Sequence, residues 1–326
     1  MRPLRMLAGA LLVAGLAACG SSGASGGSAA APASGAPFRT VKHAMGETVI
    51  PAQPKRVVAL DQSFVDAVLT LETPVVGYTT YRSIDTELPA YLGTVAAQYG
   101  KEATPVGTLE EPSLEKIIAL KPDLIVSAKV RHENLYDKLS KIAPTVFSET
   151  TGAIWKENLR LMGQALGKES LADERIRTYE ERAGKIGASI KAESKDGALP
   201  TISIVRFAGE PTVRLYVEKS YSGVVMKDIG FPRPEGQPTE DDAIAVDVSQ
   251  ERITDLDADH IFVSTYPDPS AEGPKEKFVG NPLWGKLKGD KHDVNDLTWM
   301  SAVGIQGAHA ILDDVAKLFE VDPARA

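Results

Sequence analysis

The chain has 326 residues, with 44 Asp and Glu against 36 Lys and Arg and a net charge of −8. A balance this acidic argues against nucleic acid and against charge-driven binding to anionic lipid. One cysteine, Cys19, leaves no internal disulfide framework, so the fold must rest on its apolar core.

Arg2 and Arg5 precede an apolar run from Leu7 to Leu16 that ends in Ala17 and Ala18. These are the charged, hydrophobic and small-residue regions of a secretory signal, too short to span a membrane. Residues 20–37 are almost entirely Gly, Ser, Ala and Pro, with too little apolar surface to offset the entropy of ordering. A core cannot begin between two such segments, so Cys19 is not read as a buried thiol. Leu16-Ala17-Ala18-Cys19 resembles the lipobox of bacterial lipoproteins, in which the thiol is acylated and becomes the new N-terminus. The expectation is a signal peptide over 1–18 and a lipidated, flexible tether over 19–37, with a reach of about 20–25 Å. The protein would then be extracytoplasmic and held at the cell membrane by the lipid on Cys19. Losing residues 1–18 removes two arginines and no acid, taking the charge from −8 to −10.

After the tether, short apolar runs alternate with helical patterns, as in parallel strands buried on both faces. The candidate strands are RVVAL (56–60), VVGYT (75–79), DLIVSA (123–128) and TVFSE (145–149), then TISIVRF (201–207), HIFVST (260–265) and HDVNDL (292–297). Between the two sets the pattern predicts a helix over about 154–166 that stops at Gly167, and a second from about Ser170 to Ala192. In the second, Ile176, Tyr179, Ala183, Ile186 and Ile190 recur at helical spacing and form one apolar stripe. The fold class is therefore α/β, with two Rossmann-like lobes (38–165 and 197–326) joined by one long helix within 166–196.

An internal repeat supports two related lobes. SLEKIIALKPDLIV from Ser113 and SQERITDLDADHIF from Ser249 align at a constant offset of 136 residues. Each reads as a helix N-cap serine, a short helix, a turn aspartate and a buried strand.

Ligands of open parallel sheets bind beyond the carboxyl ends of the strands. Asp61 and Gln62 follow RVVAL, Tyr81 and Arg82 follow VVGYT, and Arg131 and His132 follow DLIVSA. Arg206 and Phe207 end TISIVRF, Tyr266 follows HIFVST, and Trp299 and Met300 follow HDVNDL; the hairpin-like PTVRLYVEKSYSG adds Arg214, Tyr216 and Tyr221. Any one arginine is ordinarily a surface or ion-paired residue, and Trp299 would suit a core. Together, cationic forks and flat rings suit a large, partly anionic organic ligand.

Enzyme signatures fail on inspection. GASGG (23–27) has the spacing of a nucleophile elbow but lies in the tether. GNPLWGK (280–286) approximates a phosphate loop, yet Leu287 replaces the hydroxyl residue and Pro282 and Trp284 fill the cradle. Asp255, Asp257 and Asp259 begin like a calcium loop, but His260 and Tyr266 stand where Gly and Glu are needed. The histidines (43, 132, 260, 292 and 309) show no metal-ligand spacing.

The strand-end pattern, the lipobox and the repeated S-x-E units, with HAMGETVIPAQPKRVVALD, SLEKIIALKPDLIV, LYDKLSKIAPTVF and VVMKDIGFPRPEGQ, resemble the substrate-binding lipoproteins of iron–siderophore ABC importers. The resemblance covers nearly the whole chain after the tether. It implies a helical-backbone, metal-receptor type of periplasmic binding fold with a shallow cleft and no catalytic activity. It further implies delivery of a ferric siderophore to a permease and its ATPase, with no cofactor beyond the ferric iron inside the ligand. SIVRF…VRLY most resembles binders of ferric hydroxamates, of the ferrioxamine type. In the Gram-negative hydroxamate binder an arginine lies just before the P-x-L-E helix; here the loop VGTLEEPSLE has none, so the contact moves to Arg131 or Arg82. The ligand-binding set implied is Arg131, Arg206 and Trp299, with Tyr81, Arg82, Arg214, Tyr216, Tyr221 and Met300 as neighbours. Glu115 and Glu251 take the family's permease-docking role, one per lobe. Haem or corrinoid binding and, in another class, a secreted lipoprotein hydrolase are the alternatives.

Overall fold

A computed structural model describes residues 36–81, 86–240 and 242–325. The expected signal peptide, Cys19, most of the expected tether and Arg82 lie outside the described residues.

The described residues open with an antiparallel hairpin, β1 (Arg39–His43) and β2 (Gly46–Ile50), that the apolar pattern does not announce. The first α/β half comes next: β3 (Val57–Ala59), α1 (Gln62–Thr70), β4 (Val75–Tyr78), α2 (Gly93–Tyr99), β5 (Thr104–Pro105), α3 (Leu114–Leu120) and β6 (Leu124–Ala128). Two single-turn helices, α4 (Lys129–His132) and α5 (Tyr136–Leu139), lead to β7 (Thr145–Ser148). These strands form an all-parallel sheet in the order β5-β4-β3-β6-β7. Every residue of β3, β4, β6 and β7 is buried, which is why their apolar runs are continuous rather than alternating.

Helix α6 (Trp155–Leu166) ends at Gly167, whose φ of +71° supplies a left-handed C-cap. The long helix α7 (Glu169–Glu193) buries the predicted stripe, Ile176, Tyr179, Ala183, Ile186 and Ile190. The second half comprises β8 (Ile202–Phe207), β9 (Val213–Tyr216), α8 (Tyr221–Ile229), β10 (Ala245–Val248), β11 (His260–Thr265), α9 (Pro269–Val279), β12 (Asp290–Val294) and α10 (Ile305–Leu318). Its sheet runs β10-β9-β8-β11-β12 and is mixed: β8, β11 and β12 are parallel, while β9 is antiparallel to both neighbours.

Two expectations are corrected. The strand expected at 292–297 ends at Val294, because the Asn295 side chain accepts from the Leu297 and Thr298 amides and turns the chain out of the sheet. In the second repeat unit Ser249 makes no capping bond, and Gln250–Leu256 winds as a 3₁₀ turn with a kink at Arg252.

One apolar core runs from α1 and α6 through the α7 stripe to α8 and α10, and residues 37–326 form a single unit. In each sheet the strand order reverses once, between β3 and β6 and between β8 and β11. Such reversals open a crevice at the carboxyl ends of the strands.

Candidate functional site

A cleft of about 370 Å³ lies where these crevices meet, bordered by Asp61, Tyr81 and Arg131 from one half and Arg206, Arg214 and Asp296 from the other. Each side is built around an arginine held by a buried aspartate.

On the first side Asp61 follows β3 and caps α1. One carboxylate oxygen accepts from the Ser63 amide (2.9 Å) and hydroxyl (2.6 Å). The other accepts from Arg131 Nε at 2.9 Å. Arg131 lies on α4, directly after β6, and its Nη2 reaches Thr151 Oγ1 at 3.5 Å. Behind it the buried His132 ties down the loop before α3. Its Nε2 donates to the Leu109 carbonyl (2.7 Å), which leaves Nδ1 to accept from the Ser127 hydroxyl (2.7 Å). Burial lowers the His132 pKa and favours this neutral form. Ser127 is fully buried and the imidazole is already occupied, so this Ser–His contact is an anchor and not a nucleophile with its base.

On the second side Arg206 forms a two-pronged pair with Asp296, Nε to Oδ1 at 2.6 Å and Nη2 to Oδ2 at 2.7 Å. Asp296 also accepts from the Ser264 hydroxyl (2.7 Å) and the Ser301 hydroxyl (3.4 Å). Arg206 Nη1 donates to Tyr216 Oη at 3.3 Å, and its guanidinium carbon lies 5.2 Å from the centre of the Tyr266 ring. Burial opposes the guanidinium charge, but Tyr216 and the Asp296 carboxylate outweigh it and raise the pKa further. Arg214 pairs with Glu210 beside Tyr216.

The structure thus brings Tyr81, Arg131, Arg206, Arg214, Tyr216, Tyr221, Trp299 and Met300 around one cleft. Their surroundings show how each of them stands there. Arg206, expected to contact ligand, is held in the cleft by Asp296. Trp299 borders the floor with no exposed surface: its ring packs 4.7 Å from Phe262 and its indole N–H donates to Asp314 at 2.8 Å. Tyr81, Tyr216, Tyr221 and Met300 are buried as well, so they support the floor rather than form open walls. The exposed apolar rim comes instead from Val130 (62 % exposed) and Ile244 (52 %), with Leu297 and Tyr266 half-buried. Sequence reasoning missed Val130, Ile244 and Leu297, although Val130 and Leu297 each adjoin a charged residue at a strand end. It also missed Asp296 as a site residue and gave Asp61 no role. Among the described residues no three His, Cys, Asp or Glu side chains stand together as a metal site, and no helix is long and apolar enough to cross a membrane.

Residues 57–293 match the model of the periplasmic binding protein family. The chain belongs to that family. It is 37 % identical to the probable siderophore-binding lipoprotein YfiY of Bacillus subtilis, over 93 % of this chain and 94 % of that protein. It is 30 % identical to the Fe(3+)-citrate-binding protein YfmC of the same organism, over 86 % of this chain and 85 % of that protein. Among solved structures it superposes on Staphylococcus aureus SirA complexed with staphyloferrin B with a TM-score of 0.78 and 31 % identity, over 87 % of this chain and 99 % of that one. The periplasmic binding proteins are ligand carriers for transport, and this chain is a binding protein, not an enzyme.

Proposed function

We propose that the protein is the substrate-binding component of an ABC importer, held at the outer face of the cell membrane by a lipid on Cys19. It captures a ferric siderophore and passes it to a permease and its ATPase. The chelator's hard oxygens already fill the ferric coordination shell, so the protein supplies hydrogen-bond donors and apolar contact rather than metal ligands. Arg131 and Arg206 donate to the chelating oxygens, with Arg214 at the edge. Tyr81, Tyr216, Tyr221, Trp299 and Met300 shape the floor beneath the ligand, and Arg82 is assigned to the neighbourhood by its place after β4. Glu115 and Glu251 dock the permease.

One observation carries the ligand class: among the described residues each cleft arginine already has an acid, Arg131 with Asp61, Arg206 with Asp296 and Arg214 with Glu210. A cleft with many donors and little net charge suits a ferric complex that is itself nearly neutral or cationic, which supports a hydroxamate of the ferrioxamine type. A second reading, a carboxylate-bearing ferric chelate, is favoured by the similarity to an Fe(3+)-citrate-binding protein and to a staphyloferrin B complex. The side chains of Arg131 and Arg214 are 37 % and 35 % exposed, open enough to exchange an internal acid for a ligand carboxylate. Titration of the purified protein with ferric desferrioxamine, ferric citrate and their iron-free forms, followed by tryptophan fluorescence, separates the two. Saturable quenching by ferric desferrioxamine above ferric citrate supports the hydroxamate; the reverse order supports the carboxylate. Response to neither, in folded protein, overturns both.

A further inference from the structure

We infer that Asp66 is a positioning residue for the cleft: from α1 it caps α10 of the other half and so holds the wall segment Asp296–Gly304 in place. The inference rests on the ligand site proposed above. Helix α10 has Gly304 at its N-cap and no capping side chain of its own. The carboxylate of Asp66, 240 residues away, supplies the cap instead: it accepts from the Gln306 amide at 3.0 Å and the Gly307 amide at 3.2 Å. Thr70 donates to the same carboxylate at 3.3 Å, and the Gln306 side chain donates back to Thr70 at 2.9 Å. Asp66 is fully buried.

The segment this cap restrains is a wall of the cleft. Asp296 grips Arg206; Leu297–Ser301 coils as a π-turn; Leu297, Met300, Ser301 and Val303 all line the cavity. Val303 is held at φ +47°, a region that a β-branched residue occupies only when its surroundings impose it. Two contacts impose it here. Tyr221 Oη donates to the Gly304 carbonyl at 2.8 Å, and Asp66 packs so close to Gly304 that a Cβ there would lie 2.3 Å from the carboxyl carbon. The wall is thus stretched between Arg206 on one side and a buried carboxylate of the opposite half on the other.

Burial pushes the Asp66 carboxyl up to about 7, against the pull of the Gln306, Gly307 and Ile305 amides and the Thr70 hydroxyl. The other titratable groups that face it are the Tyr81 and Tyr91 hydroxyls from the first half and Tyr221 from α8, all pushed upward by burial and neutral near pH 7. Asp61, at the head of α1, acts on Tyr81 from the far side. Between the ordinary carboxyl value of 3.8 and about 7 the capped state holds a proton that the solvated aspartate has lost. The cap is therefore at full strength below that window and weakens as pH rises through it.

The test compares wild type with Asp66→Ala, Asp66→Asn and Gly304→Ala, reading amide hydrogen exchange over 297–307 and affinity for ferric desferrioxamine and ferric citrate. Asp66→Ala should lower both protection and affinity about tenfold, the scale of one lost N-cap. Asn keeps an acceptor oxygen and should restore most of both. It should also abolish the fall in protection, corrected for intrinsic rate, that wild type should show between pH 5 and 7.5. Gly304→Ala, whose Cβ displaces the carboxylate, should reproduce Asp66→Ala, and it carries the test with Asp66→Asn if Asp66→Ala does not fold. Unchanged exchange over 297–307 in Asp66→Ala and Gly304→Ala overturns the inference, as does lost protection with unchanged affinity. If wild type binds neither ferric complex, the proposed ligand has failed, while the exchange data still decide whether Asp66 holds the wall.

Discussion

Arg131 and Arg206 occupy equivalent places, each at a switch point of its sheet and each beside a buried aspartate, yet the two pairs are built for different work. Asp61 is first a helix cap and gives Arg131 one oxygen and one bond, and the arginine stays 37 % exposed. Asp296 caps nothing and grips the Arg206 fork with both oxygens while two serines hold it from behind, leaving the arginine 12 % exposed. A fork held at both prongs keeps its orientation whether or not ligand is present. A fork held at one can turn toward whatever arrives. In the proposed ligand role, the pairing makes Arg206 a fixed donor and Arg131 an adjustable one.

The largest effect that can break this contrast comes from removing Asp296. Asp296→Ala leaves a buried guanidinium without its carboxylate, held only by neutral Tyr216 and Tyr266, and breaking a buried pair costs about 3–5 kcal/mol. Asp61→Ala chiefly removes a helix cap, at about 1 kcal/mol, because Arg131 can turn to water. Urea denaturation of both variants measures the difference, and equal losses would show that the two pairs are equivalent.

Next in size is a separation of affinity from stability. Arg131→Ala should weaken binding of the ferric complex roughly ten- to hundredfold, since a hydrogen bond to a charged group contributes about 1.5–3 kcal/mol. Its denaturation midpoint should stay close to wild type, as expected for a part-exposed pair. Arg206→Ala should lower affinity and midpoint together, because it leaves Asp296 buried without its cation. An Arg206→Ala protein as stable as wild type would make that pair dispensable to the fold and return Arg206 to the role of a free ligand contact.

The positions of both arginines were legible because buried parallel strands read as apolar runs, and the residues just past such a run stand at the cleft. Their partners were not. Asp61 meets Arg131 across 70 residues and Asp296 meets Arg206 across 90, and no local pattern encodes such a meeting. For Trp299 the sequence allowed both a core and a cleft place, and its burial depends on Phe262 and Asp314, which reach it only in three dimensions. In the fold, helices α6 and α7 were found almost to the residue, because a stripe at helical spacing and Gly167 mark them locally. The β1–β2 hairpin was missed, since its burial pattern lacks a clean two-residue alternation. The end of β12 was placed too late, since only an Asn295 side-chain turn stops it.

The smallest effect on the protein itself, and the last way to sharpen the comparison of halves, concerns Glu115 and Glu251. Their repeat units have diverged. Ser113 caps α3 through the Lys116 amide at 3.4 Å, whereas Ser249 turns its hydroxyl to the Glu251 carboxylate and holds its pKa below the usual range. What the two units still share is an exposed acid in the first turn. An acid there is favoured by the helix dipole by about 0.3–1 kcal/mol, but a kinked 3₁₀ turn has little aligned dipole to satisfy, so stability alone explains Glu251 less well than Glu115. A docking role explains both, because one carboxylate on each half lets a two-subunit permease engage the pair as a bivalent contact. Glu115→Ala with Glu251→Ala should leave ferric-complex affinity unchanged and shift stability by less than about 1 kcal/mol. Uptake of radiolabelled iron by cells carrying the exported double variant should nevertheless fall well below that of either single variant. Wild-type uptake at equal surface abundance would reduce both glutamates to ordinary first-turn acids.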